Sequence, residues 1–197
     1  MLTDRDFKLL EWLKNYNAIT IEQSQYLFFF GSYEAARRRL SILEKDGIVK
    51  SYVSKNSKQK IYYLYKKVND KKIYVLDYLK ELKKNNCDLI EIKIEPKYLN
   101  GSLKPDAFVK FNFNGYIFNT ILNLNYLKPI DELNLNILYE KLAKETSNYK
   151  EFNNQGFILV IASYTPMLRY TSKNFESVYT DLKYHNLSNL LGLNNLL

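Results

Sequence analysis

The hydrophobic pattern changes period at Gly47, and that change limits what the chain can become. Before it, apolar residues recur at helical spacing in three short stretches, each opened by a capping residue. Thr3 stands as N-cap to the first, residues 2–17, with Asp6 three positions on and Asp4 in the first turn, where the helix dipole favours acids. Phe7, Leu10 and Leu13 follow at helical spacing, with Leu9 and Trp12 beside them, and fraying is expected near Asn15–Asn17. Thr20 and Gln23 have capping-box spacing for a second helix, with Ile21, Leu27 and Phe28 as its apolar face. Ser32 caps a third, residues 33–46, and Gly47 sits where a helix C′ glycine belongs. Beyond it the period changes to two: 48–53 reads as a strand, 54–60 as a polar, basic turn, and 61–65 as the returning strand, rich in β-formers.

Three short helices followed by a basic-tipped hairpin are the plan of a winged helix-turn-helix. On the third helix, Ala36, Leu40 and Leu43 fall within about 60° of one another and face the core. The opposite face presents Glu34, Arg38, Ser41 and Lys45. Arg37 lies on a flank. Arg39 lies nearer the core edge, where its guanidinium is expected to snorkel or pair with a carboxylate. Arg38 is placed against base edges, because its planar fork matches the two acceptors of guanine. Ser32 and Tyr33, at the helix N-terminus, are placed on a backbone phosphate. Lys55, Lys58 and Lys60 in the hairpin suit a neighbouring phosphate or the minor groove. Net charge supports this reading: the chain carries +8. Residues 1–66 hold 12 basic against 7 acidic side chains, a net of +5, and residues 67–197 hold 17 against 14, a net of +3.

Residues 70–86 carry Ile73, Leu76, Leu79 and Leu82 on one stripe. That helix suits a join between two domains, a dimer seam or docking on its own domain. Farther on, 89–94 alternates as a strand, and 104–111 with 116–122 reads as a hairpin turning at Asn114-Gly115. A long helix is expected over 131–152, with Leu135, Leu138, Leu142 and Ala143 among its apolar positions. Residues 157–161 form a buried strand. Thr171 or Ser172 opens a last expected helix carrying Phe175, Val178, Tyr179 and Leu182. The tail, 186–197, is left unassigned.

Several stretches resemble the replication-relaxation family of bacterial plasmids, integrative elements and phages. They are Leu2-Thr3-Asp4-Arg5-Asp6, Ile19-Thr20 with Gln23, Ala36–Leu43 and Gly47-Ile48-Val49, followed by Leu103-Lys104-Pro105-Asp106-Ala107, Lys141-Leu142 with Tyr149, and 157–161. The resemblance covers about residues 2–170. It implies an α+β chain: a winged helix-turn-helix over 1–68, a connecting helix over 69–87, and over 88–197 a small α/β domain resembling a restriction-endonuclease core. Where that family shows Glu-x-Asp, this chain reads Leu122-Asn123-Leu124-Asn125. Nuclease chemistry of this type needs two or more carboxylates around a divalent cation. An Asn amide supplies no charge, and nothing fixes Glu91 or Glu95 near Asp106, so Asp106 is a poor Mg²⁺ site on its own. The domain is therefore expected to be inactive, with Asp106 the one residue left for catalysis if there is any.

Other chemistries lack their residues. His185 is the single His and Cys87 the single Cys, so one chain builds neither a multi-His metal site nor a disulfide. His185 reads as a surface or cap residue, and Cys87 as an incidental thiol. No GxxxxGK[ST] loop occurs, and no apolar run reaches the length of a membrane span. No cofactor, no metal and no membrane partner is expected, and the compartment is expected to be the cytoplasm. The expected function is sequence-specific binding of double-stranded DNA by a homodimer, in replication or copy control, relaxosome assembly or transcription regulation, with a replication or relaxosome protein as a further partner. Two alternatives stand beside it: a metal-dependent DNA nickase using the C-terminal domain, and a protein–protein adaptor.

Overall fold

The computed structural model describes residues 2–125, 132–164 and 172–192. The chain divides into two compact units, Met1–Lys84 and Asn85–Leu197, and is mixed α+β with a separate sheet in each.

In the first unit, α1 (Asp4–Tyr16), α2 (Ile21–Phe28) and α3 (Tyr33–Lys45) start where the capping residues place them. Thr3 with Asp6 and Thr20 with Gln23 form complete capping boxes, and Ser32 accepts the Ala35 amide. Each cap satisfies amides that a helix leaves unpaired at its start. The end of α1 does not fray. Asn17 takes a left-handed conformation, donates its side-chain amide to Lys66 O at 2.6 Å and accepts the Tyr65 amide at 2.9 Å. Gly47, at φ +71°, turns the chain out of α3 into β2 (Lys50–Val53). That strand pairs antiparallel with β3 (Lys60–Tyr63). A two-residue strand that periodicity cannot reveal, β1 (Ile19–Thr20), pairs along the other side of β3.

The core of these elements is Leu9, Leu13, Ile19, Phe29, Ala36, Leu40, Leu43, Val49 and Tyr62. The last helix of the unit, α4 (Asp70–Lys84), buries Ile73, Leu76, Leu79 and Leu82. Buried Gln23 ties it to α2, donating to Asp77 Oδ1 at 2.9 Å and to Ile73 O at 3.3 Å.

The second unit is a five-stranded sheet in the order β4 (Asp88–Ile94), β5 (Ala107–Phe113), β6 (Tyr116–Asn125), β7 (Ile158–Ser163) and β8 (Glu176–Asp181). β5 pairs antiparallel with both β4 and β6, and β6, β7 and β8 pair in parallel. Asn114 and Gly115, both at positive φ, make the expected tight turn of the β5–β6 hairpin. On one face α5 (Glu132–Lys144) lays Tyr139 and Leu142 against Phe108, Ile121, Leu159 and Ile161.

Two helix expectations are corrected here. The long helix over 131–152 ends at Lys144, and two 3₁₀ turns follow, Thr146–Asn148 and Lys150–Phe152. Ser, Thr and Asn compete for the backbone there, and the turns swing Tyr149 and Phe152 into the core. Asp131 lies outside the described residues, as does the side chain of Leu135. The last helix, expected from Thr171 or Ser172, is instead strand β8. Val178 and Thr180 point into the sheet's buried face, and pairing with β7 overrides the helical spacing of Phe175, Val178 and Leu182. Thr171 lies outside the described residues. Part of the unassigned tail forms a short helix, α6 (Leu187–Gly192).

Candidate functional site

Two polar ties orient α3. On one side, Arg39 donates Nε to Asp6 Oδ1 at 2.7 Å and Nη2 to Asp6 Oδ2 at 2.5 Å. Asp6, 1% exposed, also accepts the backbone amide and hydroxyl of Thr3. Burial works to raise its pKa, but the Arg39 and Thr3 hydrogen bonds outweigh burial and hold the carboxyl below its ordinary range. On the other side, Glu44 accepts Lys60 Nζ at 2.6 Å and Ser51 Oγ at 2.5 Å. The Lys60 hydrogen bond, with that of Ser51, keeps the Glu44 carboxyl below the usual range. Together these contacts clamp α3 between α1 and the β2–β3 hairpin.

The outer face of α3 is then free. Arg38 and Lys45 are exposed and make no hydrogen bond or ion pair with any described residue. Arg37 is exposed but held by Glu34, which accepts its Nε at 3.0 Å and Nη2 at 2.8 Å. Ser41 is half-buried beside them, and Tyr33 is exposed. Ser32 is exposed, with its hydroxyl engaged in the helix cap.

In the hairpin, Lys55 and Lys58 are exposed with no such partner among the described residues, and Lys58 takes a left-handed conformation. The turn's frame is Ser54, whose hydroxyl accepts the amides of Asn56 and Ser57 and donates to Asp70 Oδ1 at 2.8 Å. Asn56 also donates to Asp70. Lys60 differs from the other two hairpin lysines. Its ammonium is spent on Glu44 and lies 5.1 Å over the Tyr62 ring. Sequence reasoning had no signal for that pairing, because Glu44 and Lys60 meet only when the hairpin folds back on the helix. It also missed Phe30, 92% exposed in the turn before α3.

In the second unit, buried Asp106 sits at the start of β5, where its Oδ2 accepts the Leu124 amide at 2.7 Å. Asn123 is also buried and donates to the Tyr139 hydroxyl at 3.1 Å. Burial pushes the pKa of that hydroxyl far up, so it stays a neutral partner. The Glu95 amide bonds to Asp106 O at 3.0 Å, but its side chain is exposed. Glu91 is engaged with Lys93 at 3.4 Å and Lys110 at 3.8 Å. Among the described residues, no group of three or more His, Cys, Asp or Glu side chains is arranged to hold a metal ion.

His185 is exposed, and both its backbone amide and its Nδ1 contact Asp181. Cys87 is a buried free thiol. No described helix is long and apolar enough to cross a membrane. Comparisons with family models, curated proteins and solved structures each return no match.

Proposed function

We propose that this chain binds double-stranded DNA in a sequence-specific way, as a winged helix-turn-helix. In this reading α3 enters the major groove and the β2–β3 turn rests on the neighbouring backbone. The observation that carries it is the set of exposed cations that make no hydrogen bond or ion pair with any described residue, Arg38 and Lys45 on α3 and Lys55 and Lys58 in the turn, with α3 clamped from both sides. A cation already neutralised inside the fold releases few counterions from DNA, whereas these four are available to do so. Arg38 serves as the base reader. Arg37, steered by Glu34, and the Ser32–Tyr33 start of the helix position the backbone. Lys60 acts mainly to hold the hairpin on α3.

The resemblance to the replication-relaxation family supports a mobile-element setting: replication or copy control, relaxosome assembly or transcription regulation, by a homodimer on repeated half-sites. The second unit, in this reading, is a restriction-endonuclease-like fold without nuclease activity. Asp106 is turned to a backbone amide, and Asn123 serves a buried tyrosine hydroxyl.

Gel shifts with the full chain at two salt concentrations test the proposal. Arg38→Ala is expected to lower specific affinity by about 1–3 kcal/mol, and Lys58→Ala to weaken all duplexes evenly and reduce the salt slope by about 1. If neither substitution alters binding, the docking is wrong. If no duplex is retained at low salt, the adaptor reading replaces it. Supercoiled plasmid with Mg²⁺ or Mn²⁺ is expected to stay intact; nicking that Asp106→Ala abolishes establishes the nickase reading instead.

A further inference from the structure

Phe30 is the most exposed of the large apolar side chains among the described residues. Phe29, its neighbour, is buried in the core, while Phe30 is 92% exposed. Its φ is +50°, a left-handed conformation that a bulky side chain rarely takes. Among the described residues at positive φ, asparagine and glycine predominate, and the apolar Leu99 and Tyr184 bury their side chains. Among those residues, Phe30 alone combines an unfavourable backbone with an apolar ring in water.

The turn that displays it is well braced. The Gly31 amide bonds to Gln25 O at 3.0 Å, the Ser32 amide to Phe29 O at 2.9 Å, and the Gln25 side chain donates to Gly31 O at 2.7 Å. The Arg5 guanidinium lies 5.7 Å from the Phe30 ring centroid and 4.9 Å from that of Phe29. The ring is therefore presented from a hydrogen-bonded turn, beside a cation, two residues ahead of the N-cap of α3. A residue held out at such a conformational cost is a sign of a contact made elsewhere.

We infer that Phe30 is a specificity-determining residue that packs on the 5-methyl group of a thymine in the major groove, with Arg5 steadying the ring near the phosphates. This rests on the proposed DNA binding by α3. A guanidinium against the ring, and the unpaired amides of a helix start beyond it, favour a polyanion over an apolar protein groove as what the ring meets. On duplex DNA the apolar feature that a phenyl ring reads in the major groove is the thymine methyl.

The experiment is selection of duplexes from a random 20-base-pair library by the full chain, followed by binding to the selected duplex with each thymine in turn replaced by deoxyuridine. Losing one buried methyl contact is expected to weaken the wild type about fourfold at one position. Phe30→Gly, which suits the left-handed backbone, is expected to bind the thymine and uracil duplexes equally there. Phe30→Asn suits the same backbone and replaces it if the glycine variant fails to fold by circular dichroism. If no thymine is methyl-sensitive, or if the variant keeps the wild-type sensitivity, the inference falls and the DNA reading stands. If the wild type selects no duplex, the DNA reading falls and takes this inference with it.

Discussion

Three consecutive arginines on α3 meet three different fates. Arg37 is steered by Glu34 one turn back, Arg38 reaches solvent, and Arg39 closes on buried Asp6. The last pair is structural. Arg39→Ala strands a carboxylate that is 1% exposed, so it is expected to destabilise the protein by about 3 kcal/mol in urea unfolding. Because the Asp6 pKa is depressed in the folded chain, its stabilising contribution is complete above the unfolded carboxyl's range. It is lost as pH falls through the lower folded value. Arg39→Ala should therefore flatten the acid limb of a stability-versus-pH curve. The angle of Arg39 toward the core edge is legible from helical spacing alone. Its partner is not, since Asp6 lies 33 positions earlier and only packing of α1 on α3 brings it close. Asparagine shows a second residue-scale habit. In a chain with only six glycines, Asn17, Asn86, Asn100, Asn114, Asn153 and Asn154 take left-handed conformations that glycine usually fills.

At the scale of elements, local signals set where α1, α2 and α3 begin, while contacts with distant segments hold the end of α1 and turn the last expected helix into strand β8. Thr20 caps α2 through its hydroxyl at 3.1 Å from the Gln23 amide, so Thr20→Ala is expected to cost about 1 kcal/mol, seen as a lowered melting temperature. The same Gln23 reaches α4, where Asp77 is nearly enclosed. Burial there outweighs nearby Lys80 and the Gln23 hydrogen bond, and raises the Asp77 pKa to about 6. A carboxyl raised in the folded state favours folding most at low pH. Its contribution falls as pH rises from the unfolded value near 4 through about 6. Carbon-13 titration of the side-chain carboxyls should find the Asp77 midpoint near 6 and that of Asp6 below the ordinary range; an Asp77 midpoint near 4 means the α2–α4 joint is wet. Strand β8 shows the limit of periodicity. Phe175, Val178 and Leu182 fit a helix, but Val178 and Thr180 equally fit a strand, and only the free side of β7 decides between them.

Across the whole molecule, charge and chemistry divide between the two units. The first third of the chain holds most of the +8 charge, and the cations left unpaired on α3 and its hairpin are there. Duplex affinity is expected to fall linearly on a plot of log K against log salt, with a slope that counts the phosphates neutralised. A slope near zero contradicts contact through these side chains. The starts of α1, α2 and α3, the change of period at Gly47, the core face of α3 and the hairpin turn at Asn114-Gly115 are all legible in the residues themselves. Each depends on residues within a few positions of one another, so local backbone preference and periodicity suffice. Packing of distant segments, by contrast, draws Lys60 to Glu44 and Arg39 to Asp6, joins β1 to β3, makes β8 a strand, and leaves Phe30 in water while Phe29 is buried. Those outcomes follow from contacts between segments far apart in the chain, where burial and pairing across elements outweigh local preference.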